Sequence, residues 1–256
     1  MEKVKAKKHL GQHFLNDKNI AKKIVDSLSG WGNYSVVLEI GPGMGVLSDF
    51  LISENKYSTF FLDVDKESVD YLKKKYPNQL ENIIQQDFLK ADLAGFSNQE
   101  SIAVIGNFPY NISTQIMFKT LEDVRLVSEL VGMFQKEVAE RLCSKPGNKT
   151  YGILSVLLQT YYEMEYLFTV NENVFTPPPK VKSGVIRLKR KEQLPEVDYL
   201  KLKELVKAAF NQRRKTMRNS LKSFLNEENK KLPIFDKRPE QLGWEEFVQL
   251  TKLLQQ

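Results

Sequence analysis

Apolar residues along this 256-residue chain fall into two alternating rhythms. Short runs rich in β-branched and aromatic residues read as buried strands: 35–40, 59–62, 82–86, 102–105 and 127–134. Between them apolar residues recur at helical spacing. Ile20, Ile24, Val25 and Leu28 follow an Asn16-Asp17 N-cap and stop at Ser29-Gly30. Val46, Leu47, Phe50 and Leu51 follow the first strand, and helices are expected over 66–75 and 113–121. Strand alternating with helix predicts an α/β, Rossmann-like domain with a parallel sheet. Further on, 145–148 reads as a loop, 151–162 as a helix, and 166–170 and 183–188 as a final strand pair. Pro195 marks a change. After it no strand pattern appears, and 199–210, a run with Leu221, Phe224 and Leu225, and 239–254 read as helices. The expected division is a domain over 1–193 and a small all-helical domain over 194–256.

Composition narrows the function classes. No run of 18 apolar residues is present, so no membrane span is expected. The basic start, 1–8, is not followed by an apolar core of the secretory kind. One cysteine, Cys143, and two histidines, His9 and His13, exclude an internal disulfide and a thiolate cluster. They also leave too few ligands for a zinc site, and fit a reducing cytoplasm. The net charge of +6 is uneven: residues 180–256 carry 19 Lys and Arg against 10 Asp and Glu, so the rest is net −3. A basic C-terminal third on a mildly acidic body suits a polyanion such as nucleic acid. A solvated basic face is the plainer alternative. No sign of oligomerisation is visible, and a monomer is the default.

Candidate chemistry collects at strand ends, the edge at which open α/β sheets bind ligands. Four successive ends carry Gly41 and Gly43, Asp63, Asp87 and Asn107. Asp63 lies 20 residues after Gly43, where such folds place a carboxylate on ribose hydroxyls. The pyrophosphate fingerprint is incomplete, because Val46 stands where its third glycine would fall. The loop has two carboxylates near it and no Lys or Arg. Such a site repels phosphates and favours a cationic nucleoside, and S-adenosylmethionine fits. Asp87 would then accept from the adenine amino group, with Phe88 packing nearby. Taken singly, each acid is equally a solvated strand-end residue; the set carries the reading.

The tetrapeptide Asn107-Phe108-Pro109-Tyr110 closes a strand with an amide, two backbone carbonyls and an aromatic face. Those groups suit the exocyclic amino group of an aromatic base. The Asn107 side-chain oxygen and the Phe108 or Pro109 carbonyl would accept its N–H bonds. Tyr110 would stack the ring, with Phe175, held by Pro177-Pro178-Pro179, as a second wall. The N-terminal arm has no period, yet Phe14 and Leu15 argue that it packs over a site. In the C-terminal region Arg213, Arg214, Lys215 and Arg218 lie beside Phe210, a pattern suited to a phosphate backbone with bases close by.

Five motifs, in order over nearly the whole chain, resemble the KsgA/RsmA family of small-subunit (16S) ribosomal RNA adenine dimethyltransferases. They are Gly11-Gln12-His13-Phe14-Leu15, Glu39-Ile40-Gly41-Pro42-Gly43, 107–114, 175–181 and 210–215. The resemblance implies a seven-stranded class I methyltransferase domain that uses S-adenosylmethionine, with a small helical RNA-binding domain. It implies dimethylation of two adjacent adenines near the 3′ end of small-subunit rRNA in an assembling subunit. By resemblance His13, Leu15, Gly41, Asp63, Asp87 and Asn107 line the cofactor site. The family usually has Asn at His13, often Glu at Asp63, and Leu at Phe108; each change here keeps the needed hydrogen-bonding groups. A large-subunit rRNA or DNA adenine methyltransferase on the same scaffold, and a non-catalytic rRNA-binding assembly factor, remain alternatives.

Overall fold

The strand runs of the sequence become a seven-stranded sheet because each is apolar on both faces and must be covered twice. A computed structural model describes residues 4–254; residues 1–3, at the start of the basic N-terminal run, and 255–256 lie outside it. In chain order the elements begin with a short strand β1 (Phe14–Leu15) and helix α1 (Lys18–Val25). Then come β2 (Val36–Ile40), α2 (Ser48–Glu54), β3 (Ser58–Asp63), α3 (Lys66–Lys75), β4 (Ile83–Gln85), the single turn α4 (Ala94–Ser97) and β5 (Ile102–Asn107). After these come α5 (Ser113–Glu122), β6 (Val127–Gln135), α6 (Lys136–Leu142), α7 (Ile153–Tyr161) and β7 (Tyr162–Val170). The short strand β8 (Phe175–Thr176) and β9 (Ser183–Arg190) lead to α8 (Tyr199–Asn211), the single turn α9 (Met217–Ser220) and α10 (Trp244–Leu253).

The sheet order is β4-β3-β2-β5-β6-β9-β7. From β4 to β6 all neighbours are parallel, and β9 returns antiparallel beside β6. The chain winds outward from β2 to β4, then crosses back to lay β5 on the other side of β2. That reversal makes the carboxyl ends of β2 and β5 the switch point of the sheet, where the flanking connections diverge and leave a crevice. Burial follows this plan: all five residues of β2 and the first five of β5 are buried. One apolar cluster lies between the sheet and the first two helices and includes Ala21, Ile24, Val37, Leu51, Ile105 and Val131.

By contacts the described chain divides into two compact units. One comprises the residues up to Ala139 together with Glu165–Arg190; the other comprises Glu140–Met164 and Lys191 onward. In the second unit α7, α8 and α10 pack on one another, with Leu202, Leu205, Val206 and Phe247 buried. Residues 140–164 thus fold with the C-terminal helices. The sequence reading missed α6, because it follows β6 with no intervening turn residue. Among the described residues, no helix is long and apolar enough to cross a membrane.

Candidate active site

The arm that precedes the fold is ordered by two partners. Its strand β1 pairs with β8, so Phe14 and Leu15 are buried, as their exposure in a free tail would require. Lys7 Nζ and Gln12 Nε2 both donate to the carboxylate of Asp65, which also caps α3 through the backbone N–H of Glu67. Partial burial would raise the Asp65 carboxyl, but the hydrogen bonds from Lys7 and Gln12 outweigh it and hold it below its usual value. The arm is therefore fastened across the crevice at the switch point.

Beneath it lies a cavity of about 230 Å³ whose wall includes His13, Gly41, Gly43, Asp63, Asp87 and Asn107. The four strand ends singled out in the sequence do converge. Gly43 has φ +56°, and a Cβ there would lie 2.8 Å from the Phe14 ring, so no larger residue fits between loop and arm. Asp63 is 6% exposed and accepts from the backbone N–H of Gly43 at 3.2 Å and of Asp65 at 2.9 Å. Burial pushes its carboxyl up to about 6, against those hydrogen bonds. Asp87 caps the short turn that follows by accepting from Leu89 N at 3.0 Å. Glu39, 2% exposed under the glycine loop, accepts from Ser48 Oγ at 2.7 Å, and burial pushes it up to about 8.

Asn107 borders the main cavity and a smaller one beside it. Its Nδ2 donates to the His13 carbonyl at 2.8 Å. A carbonyl can only accept, so the amide orientation is settled and Oδ1 is left for a ligand. The Phe108 ring is buried against Phe134, and a Cβ at Gly106 or Gly132 would strike it. Its side chain therefore serves the core, and only its backbone borders the cavity. The Pro109 carbonyl already accepts from Ile112 N at 3.2 Å, whereas the Phe108 carbonyl has no protein partner among the described residues. A smaller cavity alongside is bordered by Leu15, Glu39, Gly41, Pro42 and Asn107. Leu15 thus faces this smaller space rather than the main one.

On the far side a third cavity opens between Tyr110, His13, Gln135 and Pro177-Pro178-Pro179. Tyr110 and His13 border both this space and the main cavity. Their rings stack at 5.4 Å between centroids and 28° between planes. His13 Nδ1 lies 2.8 Å from the Pro177 carbonyl, which makes Nδ1 the protonated nitrogen. Tyr110 OH meets Ser183 Oγ at 2.6 Å, and burial raises its phenol above the usual value.

Three sequence expectations need correction. Phe175 is not a wall of either cavity; it is 3% exposed and packs in the core with Leu15 and Val170. Its pairing with Leu15 in the β1–β8 ladder directs the ring inward. Phe88 is likewise buried at 3%, and Leu89, one residue on, borders the cavity instead. Phe210 is stacked on Phe247 with Tyr151 nearby, so it is a helix-packing residue. Of the basic cluster, Arg214 and Lys215 are exposed, Arg213 reaches Asn148 O, and Arg218 pairs with Asp236 at 2.7 Å. Residues to which the sequence assigned no role are Lys7, Gln12 and Asp65, which fasten the arm. Only Asp65 carried a local signal, as an N-cap before Lys66-Glu67-Ser68.

The ribosomal RNA adenine dimethylase family model matches residues 3–256. The chain belongs to that family. It is 61% identical to the ribosomal RNA small subunit methyltransferase A of Cytophaga hutchinsonii, over 99% of each chain. With the protein of the same name from Flavobacterium johnsoniae it shares 57% identity, over 100% of this chain and 98% of that one. Among solved structures, a dimethyladenosine transferase from Plasmodium falciparum superposes with a TM-score of 0.78 at 25% identity, covering 95% of this chain and 97% of the other. The 23S rRNA methyltransferase ErmE shares the fold, with a TM-score of 0.69 at 23% identity, covering 95% of this chain and 100% of the other. The seven-stranded class I methyltransferase fold is thereby established.

Proposed function

We propose that this chain dimethylates the exocyclic amino groups of two adjacent adenines near the 3′ end of small-subunit rRNA, in an assembling subunit. Methyl transfer from S-adenosylmethionine to rRNA adenine is the activity of the family. The nucleotides, the assembly context, a cytoplasmic location, a monomeric state and an RNA-binding C-terminal domain from about 194 are our reading. It is supported by the names of the relatives and by the basic C-terminal third.

The observation that carries the chemistry is the held amide of Asn107 in the wall of the acid-lined cavity, with the Tyr110 ring bordering both that cavity and the proline-lined one. In this reading the acidic cavity takes the adenosine of the cofactor. Asp63 accepts from the ribose hydroxyls, Asp87 from the adenine amino group, and the glycine loop passes close beneath. The methionine end extends toward Leu15, Gly41 and Glu39. The target adenine, turned out of its helix, lies against Tyr110 in the proline-lined space. Its amino group donates one N–H to Asn107 Oδ1 and the other to the Phe108 carbonyl.

An adenine amino nitrogen is a weak nucleophile because its lone pair is shared with the ring. Two acceptors that draw its hydrogens out of plane favour a tetrahedral nitrogen, with its lone pair aimed at the methyl carbon. With S-adenosylmethionine bound, the C–N bond would form as the C–S bond breaks, leaving a neutral thioether, and the alkylated nitrogen would pass its surplus proton to solvent. Alignment and placed dipoles supply the rate, with no base of tuned pKa. Asn107→Ala tests this: turnover should fall about 100-fold while affinity for S-adenosylhomocysteine changes little. Undiminished turnover would refute the assignment.

A further inference from the structure

The main cavity and the proline-lined cavity share Gly11, Gln12, His13 and Tyr110, so they form one continuous groove. Its charge changes sign along its length. The cofactor end is bordered by Asp63 and Asp87 and, among the described residues, by no Lys or Arg. The proline end is bordered by Lys8 and Lys180 and, among the described residues, by no Asp or Glu. The two lysines come from different places: Lys8 opens a turn of 3-10 helix in the arm, and Lys180 ends the proline segment. Both are exposed, and neither side chain has an ion-pair partner among the described residues. Lys7, one residue away, is fully engaged by Asp65 and Glu67. The arm thus spends one cation on docking and turns the next toward the groove.

We propose that Lys8 and Lys180 form a phosphate clamp on the RNA strand to either side of the base held against Tyr110. This deepens the reading of the proline-lined space as the site of the target base, and rests on it. A nucleotide turned out of its helix carries its own two phosphates to the mouth of the pocket that receives it. Cations from two separate segments meet them there, and the acids deeper in the groove repel them. The backbone is then stopped at the mouth while the neutral base enters. The exposed apolar side chain of Val181, beside Lys180 on the same wall, gives the sugar an apolar surface.

Lys8→Gln and Lys180→Gln, singly and together, test this in the full chain. Methyl transfer to unmodified small subunits is followed over a series of KCl concentrations, and S-adenosylhomocysteine affinity is measured by calorimetry without RNA. The double variant should raise KM for the subunits about tenfold at 0.1 M salt and lower the slope of log affinity against log salt by about 1.4, at ~0.7 for each lost phosphate on a single strand. Cofactor affinity should stay within about twofold, and the Lys8→Arg, Lys180→Arg pair should keep the wild-type slope. An active wild type with the same KM and slope in the Gln variants overturns the clamp alone. A wild type that methylates no adenine overturns the base-site reading and the clamp with it.

Discussion

Between pH 5 and pH 7 one carboxyl of the cofactor cavity should change its charge. Asp63 is buried, and that burial pushes it up to about 6. Ribose hydroxyls donate hydrogen bonds, so in the proposed complex they select the ionised form. The unliganded protein must then give up a proton wherever the pH is below 6. Apparent affinity weakens by the factor 1 + 10^(pKa − pH), which is about 11 at pH 5 and about 1.1 at pH 7, a tenfold change worth ~1.4 kcal/mol. The sign is fixed: binding tightens as pH rises and levels off above about 7. Without ligand the linkage runs the other way. A carboxyl raised in the folded state costs stability as the pH climbs from about 4 to about 6, on the order of 3 kcal/mol in total. Calorimetry with S-adenosylhomocysteine at pH 5, 6 and 7, in two buffers of different ionisation enthalpy, reads both the affinity and the proton released. Asp63→Asn should abolish the pH dependence and weaken binding about tenfold or more at pH 7, through loss of charge-assisted hydrogen bonds. His13→Asn should leave the dependence in place, which separates the carboxyl from the imidazole in the same wall. A flat affinity in the wild type, or an Asp63→Asn variant with the same slope, would refute the placement of the ribose on Asp63.

Other changes have equally definite outcomes. Glu39, pushed up to about 8 by burial, holds a proton in the folded state that the unfolded chain releases near 4.5, so it costs stability increasingly as pH rises through that window; Glu39→Gln should flatten the decline of the melting temperature between pH 5 and 8. Gly43→Ala must fit a Cβ at φ +56° against the Phe14 ring, and should cost about 1–3 kcal/mol in a denaturant melt and expel the arm from its seat. Asp65→Ala removes the acceptor shared by Lys7 and Gln12, and should raise the dissociation rate of S-adenosylhomocysteine about two- to fivefold in stopped flow, with a loss of salt sensitivity.

What was legible in the chain was whatever a short window encodes. Strand runs that end in Gly41, Asp63, Asp87 and Asn107 have a period and a stop, so their convergence is legible in the chain alone. The helix over Lys66–Lys75 agreed to the residue because Asp65 caps it and lysines close it. Aromatic orientation was not legible. Phe175 and Phe88 sit next to polar or proline-rich stretches, and nothing local says that each ring turns into the core. The pairing of Leu15 with Phe175 joins residues far apart in sequence, as does the Lys7–Asp65 ion pair. The composition changes at 194, but α7 looks like any apolar helix; only its packing with α8 and α10 assigns it to the second unit.

The most direct test is transfer of labelled methyl from S-adenosylmethionine to unmodified small subunits, with large subunits, naked rRNA and adenine-containing DNA in parallel and the labelled nucleoside identified by mass. The prediction is dimethyladenosine at two adjacent positions near the 3′ end of the small-subunit rRNA. Label on large-subunit RNA or on DNA, or tight binding of the subunit with no label at all, would contradict it.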